Sequence, residues 1–457
     1  MAGVATLIVA LVITPAGTAA GAVLKPGDIL VATFDDNAGD ARQGVVKVDP
    51  VTGKMSLISS NEQAINASSM LFDGPWDLTL MPNGELMVTN QNNGVVAVDP
   101  ATGKQRLVSN NSQPVNASSM HFSFPTGIVR LPDGDLAVSN NGPPSGILRV
   151  DPGTGRQSIL SSNAQPVNVG TAYYSDPYDV APGPGRSLVV SDHGAFGDGG
   201  LISVDPSTGK QTKLSSNDQP VNASSQLFDG GVSSAQLYRG TIYVTDSGLL
   251  GVIGVDPATG KQRLVSSNDQ PINSGSMHFF SPYGLAIEPA GGRILVTDEL
   301  GLGGDGGLLS VSPTTGKQSI FARNLDPPNA GSSELITYPD GIMVVPPKCG
   351  GLYPTIVGTS RRDKIKGTPF PDIIAGLGGR DTIRGLGGAD RLCGGPGPDL
   401  LIGGKGKDRL LGGPRRDRLR GGPGRDILRG GSGRDILRGG PGRDILRGGP
   451  GRDRQKQ

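Results

Sequence analysis

At 457 residues the chain is longer than one compact core organises, so two domains are expected. Gly at 74 and Pro at 37, with aromatic residues at only 4%, favour many short strands and tight turns and exclude a protein built of long helices. The formal charge of +1 averages two opposed regions: residues 356–457 carry 23 Lys and Arg against 11 Asp and no Glu, and residues 1–355 carry 19 basic against 30 acidic residues. Such regions behave as separate domains.

The chain begins MAGVATLIVALVITPAGTAAGAV. Residues 4–14 are apolar but too few to span a bilayer as a mature helix. Small residues follow, and Ala20-Gly21-Ala22 fits an A-x-A cleavage site, so residues 1–22 read as a signal peptide, although no basic n-region precedes the apolar run. No other stretch is long and apolar enough to be a transmembrane segment. Export to an oxidising, extracellular or cell-surface location follows as an expectation.

From residue 27 to residue 347 the chain is repetitive. The segments GVVKVDPVTGK, GVVAVDPATGK, GILRVDPGTGR, LISVDPSTGK, VIGVDPATGK and LLSVSPTTGK recur in order, anchored at Asp49, Asp99, Asp151, Asp205, Asp256 and Ser312 with spacings of 50 to 56 residues. Each full repeat contains four short Val-, Ile- and Leu-rich runs bounded by Gly, Pro or Asp. In the unit at Tyr283 they are GLAIEP, RILVTD, GLLSVSP and KQSIFA. Four antiparallel strands at this period make a propeller blade. The run DILVATF at residues 28–34 is a second-type strand, and residues 338–346 supply an isolated first-type strand. The end of the domain can therefore complete the first blade, giving six blades and no open edge. First and third turns are short, whereas crossovers and second turns are long. The face carrying the long loops is therefore the expected binding face.

This arrangement resembles the NHL and gluconolactonase-like group of six-bladed propellers over about residues 27–346. In gluconolactonase-like enzymes, Asn or Asp of a Pro-Asn/Asp-Gly element helps hold a metal at the channel mouth. The matching positions here are Trp76, Thr126, Tyr178, Tyr283 and Asp340, and the fifth blade near residues 230–232 lacks the Pro-x-Gly pattern. Only Asp340 could be a ligand, which weakens the hydrolase or lyase reading the resemblance implies. His121 and His278 occupy equivalent crossover positions and are explained by repetition. His193 beside Asp192 is a conceivable His–Asp pair. Asn90, Asn140, Asp192, Asp246 and Asp298 all end second strands, where turn capping accounts for all five. Trp76, Tyr178 and Tyr283 either stack on a ligand at the channel mouth or pack in the core. The N-A-S sequences at Asn66, Asn116 and Asn222 read as turn composition.

Residues 348–357 read as a linker. Cys349 and Cys393, the only two cysteines, flank the start of the second domain and are expected to pair. Two free buried thiols are the alternative.

From Gly358 to the end a nine-residue period takes over, with Asp at 363, 372, 381, 390, 399, 408, 417, 426, 435, 444 and 453. This resembles the RTX, or haemolysin-type, repeat G-G-x-G-x-D-x-U-x. Six residues form a turn and three a strand, so two nonapeptides make one coil of a parallel β-roll, and the apolar eighth residues, from Ile365 to Leu446, stack inside. The turns expose backbone carbonyls and aspartate carboxylates, hard oxygen donors for Ca2+. The expected metal residues are Asp381, Asp390, Asp399, Asp408, Asp417, Asp426, Asp435 and Asp444. Asp381, Asp399 and Asp417 belong to one ladder, and Asp390, Asp408 and Asp426 to the other. The first two units, GTSRRDKIK and GTPFPDIIA, lack the inner glycines and are expected to hold no full site. Arg at the fifth and ninth positions opposes a cation. Affinity is then weak, unless Arg–Asp ladders replace the metal altogether.

The fold expected is thus all-β, a six-bladed β-propeller followed by a parallel β-roll. The function expected is that of a secreted calcium-binding protein whose propeller is a platform for an unknown extracellular ligand. A propeller hydrolase or lyase is one alternative; adhesion of the basic roll to an anionic polymer or cell surface is another. Nucleic acid is disfavoured as partner, since Phe370 is the only aromatic residue after Tyr353.

Overall fold

The computed structural model describes residues 23–34, 43–66, 68–69, 71–92, 94–116, 121–170, 173–273, 278–299, 306–323, 336 and 338–457. The signal-peptide reading of residues 1–22 lies outside them. Six four-stranded antiparallel sheets form the first domain and two six-stranded parallel sheets the second. Among the described residues no helix is long and apolar enough to cross a membrane.

The first blade is closed by the two ends of the domain. Tyr338–Val344 lies beside Ile29–Phe34, pairing Ile29 with Val344 and Phe34 with Tyr338. Ile29–Phe34 in turn pairs with Gly44–Val48, and that strand with Met55–Ser60. Blades two to six each use four consecutive strands.

The strands read as near-continuous apolar runs because both faces of each blade are covered. In ILVATF, Leu30 and Ala32 enter a cluster shared with the second blade, while Ile29 and Val31 enter one shared with the sixth. Six such clusters, one between each pair of neighbouring blades, continue this alternation around the ring. Each fully buried Val, Leu or Ile stabilises the ring by about 1.5–3 kcal/mol relative to exposure.

The crossovers are fastened by side-chain amides. Asn116 is fully buried; its Nδ2 donates to Asn110 O and Gly155 O at 2.9 Å, and its Oδ1 accepts from Gln157 N at 2.9 Å. Asn66 and Asn222 make the same set of contacts. The N-A-S asparagines are therefore clamps between blades, as their recurrence with the repeat implies. The backbone N–H groups of His121 and His278 donate to Gln157 and Gln318, so these two histidines hold equivalent structural places.

The roll stacks strands 18 residues apart. Ile374, Leu392, Leu410 and Leu428 line one sheet and Ile383, Leu401, Leu419 and Leu437 the other, all fully buried in one cluster. Gly424 at φ +159° shows why glycine recurs: a β-carbon there would collide with the carbonyl oxygen of Gly406. Arg415 replaces that glycine in one unit and carries φ +86°.

Residues 348–357 are docked rather than free. Tyr353 is buried in the cluster between blades one and two, and its N–H donates to Pro82 O at 3.1 Å. Ile356–Val357 already forms the first strand of the roll, and Cys349 and Cys393 are bonded. The roll lies against first turns of the propeller. Arg186 donates to Gly367 O at 2.6 Å and Ser360 to Ala290 O at 2.5 Å.

Candidate metal centre and propeller channel

Each roll aspartate follows a turn whose glycines bring consecutive coils within hydrogen-bonding distance. Its backbone N–H points along the stack to the aspartate of the next coil. Asp381, Asp399 and Asp417 donate in this way to Oδ1 of Asp399, Asp417 and Asp435 at 2.8–2.9 Å. On the other edge Asp390, Asp408 and Asp426 donate to Asp408, Asp426 and Asp444 at 2.9 Å. The eight expected residues thus stand in two straight columns.

The second carboxylate oxygen is different. Oδ2 of Asp381, Asp390, Asp399, Asp408, Asp417, Asp426, Asp435 and Asp444 is buried and accepts no hydrogen bond. A β-carbon built on Gly376 would lie 2.7 Å from Asp381 Oδ2 and 2.7 Å from the carbonyl oxygen of Gly394 in the next coil. Carboxylate and carbonyl oxygens therefore converge on a small cradle that only a glycine turn leaves open. No arginine or lysine of the roll forms an ion pair with a ladder aspartate among the described residues. The Arg–Asp ladders weighed as an alternative are thus not formed among the described residues.

Burial pushes these carboxyls up, to about 7 for Asp381, Asp390 and Asp417 and about 6 for Asp408, with the charge of the stacked neighbours adding to the shift. Burial likewise raises Asp399, Asp426 and Asp435. Buried anionic oxygen without a donor is costly unless a cation meets it. All-oxygen donors are what a hard divalent ion such as Ca2+ takes.

The first two units differ for a visible reason. Thr359 donates its N–H and hydroxyl to Asp363 Oδ2 at 2.6 and 2.9 Å, and Thr368 does the same for Asp372 at 2.5 and 3.0 Å. A threonine in place of the second glycine thus supplies the partner that the later units lack.

In the propeller, the six first strands enclose a cavity of about 810 Å³ that is floored by Thr355, Ile356, Lys364, Lys366 and Thr368 of the docked segment. The roll therefore sits at the first-turn end of the channel, opposite the long loops. At the long-loop end Tyr178 stacks on His193 with centroids 4.1 Å apart, lies 5.7 Å from Tyr283, and meets Trp76 edge-on at 5.3 Å. The three aromatic residues singled out from the sequence do gather, and they pack on one another.

His193 does not pair with Asp192. The Asp192 oxygens accept backbone N–H groups of Ser175, Asp176 and Ala195 at 2.8–2.9 Å, which is the capping role. Asn90, Asn140, Asp246 and Asp298 accept loop N–H groups likewise. His193 instead places Nδ1 3.9 Å from Asp176 and Nε2 3.4 Å from Ser233 Oγ. Burial drops its pKa to about 4, so it is neutral at physiological pH.

Asp340 is buried, and no amide or alcohol donor reaches either of its oxygens. Burial, then the nearby Glu299, holds its carboxyl well above the usual range. Two further channel carboxylates, Asp77 and Asp179, were not singled out from the sequence. Asp77 accepts Ile128 N at 2.9 Å, and Asp179 accepts Ser234 Oγ at 2.9 Å and Ala235 N at 3.2 Å. They tie first strands of adjacent blades together. The signal that could have found them is that both follow an aromatic residue where three other blades carry Gly127, Gly284 and Gly341. Among the described residues no group of three or more His, Cys, Asp or Glu side chains in metal-holding geometry occurs.

Five overlapping stretches, residues 357–392, 366–401, 385–419, 402–437 and 420–454, match the family described as RTX calcium-binding nonapeptide repeat (4 copies). Among solved structures, a chain of "Crystal structure of Nidogen/Laminin Complex" is similar at 10% identity and TM-score 0.48, covering 69% of this chain and 97% of that one. "Streptogramin B lyase structure" is similar at 17% identity and TM-score 0.39, covering 57% and 72%. No curated protein matches. Residues 357–454 thus match RTX calcium-binding nonapeptide repeats and form a parallel β-roll that lies against the first turns of a six-bladed propeller.

Proposed function

We propose that the protein is an exported calcium-binding protein whose roll is completed by Ca2+ and whose propeller presents its long-loop face to an extracellular ligand. The observation that carries the first half is the set of eight buried Oδ2 atoms without a donor, with no ion pair to these aspartates among the described residues. Asp381, Asp399, Asp417 and Asp435 would hold ions on one edge, and Asp390, Asp408, Asp426 and Asp444 on the other, each with turn carbonyls. The bound ion would supply positive charge between coils. The protein's own contribution is the Oδ1 ladder that orients each carboxylate and the leucine stack that fixes the register.

The bonded cysteines favour an oxidising compartment, and RTX repeats are typical of secreted proteins. The platform reading rests on placement: the roll covers the first-turn end, leaving the long loops as the accessible end of the channel.

Calorimetric titration of the full chain with CaCl2 tests the reading, together with far-UV circular dichroism and thermal unfolding with and without a chelator. Heat of binding and a melting temperature that rises with calcium are expected. No heat at millimolar calcium and an unchanged melting curve would remove it.

A second reading, acid–base catalysis at the channel mouth, is favoured by the buried Asp340, which interacts with Glu299 and occupies the blade position that Trp76, Tyr178 and Tyr283 hold elsewhere. Turnover of a lactone panel that disappears in Asp340→Asn would support it.

A further inference from the structure

Beyond the metal sites, one face of the roll is built as a straight row of cations. The strands Lys364–Lys366, Thr382–Gly387, Leu400–Lys405, Arg418–Arg420, Ile436–Arg438 and Arg454–Lys456 form one parallel sheet. Their register stacks Lys366, Arg384, Ile402, Arg420, Arg438 and Lys456 in a single column. Five of these six are basic and all five are exposed. The parallel column two residues away holds Lys364, Thr382, Leu400, Arg418, Ile436 and Arg454, adding three exposed cations. None of these basic side chains forms an ion pair among the described residues, and the roll contains no glutamate. Its aspartates are turned into the coil edges, away from this face.

A column with like charges on most strands, about 4.8 Å apart where they are neighbours, is self-repelling, and among the described residues no ion pair relieves it. Leucine or isoleucine at these outward positions would give a quieter sheet, as Leu400 and Ile402 do locally. The opposite sheet lacks such a row: Arg391 is bound to the carbonyl of Gly350, Cys393 is in the disulfide, and Ile373, Ile427 and Ile445 interrupt it.

We propose that this sheet is a binding track for a single extended chain of an acidic polysaccharide, its carboxylate or sulfate groups meeting Lys366, Arg384, Arg420, Arg438 and Lys456. The strip is two side chains wide and about 25 Å long. It is shaped for a linear chain with charge at every repeat rather than for a surface. Leu400, Ile402 and Ile436, half-buried and flush with the sheet, offer sugar rings an apolar floor. A bilayer would call for protruding apolar side chains, and single-stranded nucleic acid for stacking aromatics; this face has neither. The inner end of the track meets the propeller, where Lys364 and Lys366 also line the channel cavity. The proposal rests on the roll being folded as described and is separable from the identity of its metal.

The test uses the full chain at constant calcium, with its calcium uptake and circular dichroism recorded first. Fluorescence anisotropy would follow binding of a labelled heparin octasaccharide and a labelled oligogalacturonide, against neutral dextran, duplex DNA and anionic vesicles. Saccharide binding that weakens with salt is expected, and comparing the two acidic sugars tells sulfate from carboxylate. The variant Arg384→Ser/Arg420→Ser/Arg438→Ser/Lys456→Ser should lose affinity by about tenfold or more while calcium uptake is retained. The charge-matched variant Arg416→Ser/Arg425→Ser/Arg434→Ser/Arg443→Ser, altered only in the turns, should stay within about twofold. Equal losses in both variants, no binding of either acidic sugar, or tighter binding of DNA or vesicles would overturn the proposal.

Discussion

The backbone N–H of Asp399 donates to Oδ1 of Asp417, eighteen residues further on, at 2.8 Å, while Oδ2 of Asp417 is buried with no donor. One carboxylate thus has two separate tasks: one oxygen sets the stacking of coils and the other is left for a ligand from outside the chain.

Asp417→Asn separates these tasks. The carboxamide oxygen still accepts the N–H of Asp399, but an NH2 group replaces Oδ2. Titration calorimetry should show calcium affinity at the adjoining sites falling by about tenfold or more. Unfolding in chelator should show stability unchanged or raised by about 1 kcal/mol, because an uncompensated buried charge is gone. Asp417→Ala, which breaks the ladder as well, should be less stable in both conditions.

Asn116 carries a sequence that a glycosylating host would accept, yet its side chain is enclosed between blades. Mass spectrometry of protein from such a host should find that site bare. Asn116→Ala should cost about 2–4 kcal/mol in denaturant unfolding, since three buried backbone groups lose their partner. Asn116→Asp should also be destabilising, because it keeps the acceptor for Gln157 and loses both donations.

The propeller should respond to pH through His193. Its folded pKa, about 4, lies below the ordinary value of 6.5, so the folded state prefers the neutral ring. Its contribution is present in full above pH 6.5 and is lost as pH falls toward 4, amounting to about 3 kcal/mol. Asp192, raised to about 6 from 3.8, acts oppositely, with a cost that grows as pH rises through that window. The difference between wild type and His193→Gln isolates the histidine. Thermal scans from pH 7.5 to 4.5 at constant calcium should show a shallower decline for the variant, and parallel curves would count against the assignment.

Removing the link between Cys349 and Cys393, 44 residues apart, should lower stability by about 3–4 kcal/mol. Because Cys349 adjoins the segment docked by Tyr353, the double alanine variant should also expose the roll to limited proteolysis earlier than the propeller. Simultaneous cleavage of both would show that the bond does not secure the roll.

Blade number and the nonapeptide coil were legible in the sequence because each is a short-range periodicity, and ring closure because residues 338–346 repeat the first-strand pattern without strands of their own to follow. One strand–turn pattern recurs at about fifty residues and another at nine, and every copy restates the same local rule. The capping role of Asn90 and its counterparts was legible for the same reason. The partner of His193 was not: adjacency pointed to Asp192, but that carboxylate is consumed by loop N–H groups, and the turn brings in Asp176 from the preceding strand entry. Asp77 and Asp179 were overlooked because a single acidic residue in an apolar strand carries no periodic signal.

By itself the sequence determined the two architectures and put an aspartate at every turn of the roll, since periodic side chains must face a common side of a periodic backbone. Only the tertiary structure decided which oxygen of each aspartate is free, that Thr359 and Thr368 fill that place in the first two units, and that the roll closes the first-turn end of the channel through Tyr353 and Arg186. Those outcomes include contacts between segments far apart in the chain, such as Arg186 with Gly367, 181 residues on, where geometry rather than local spacing selects the partner.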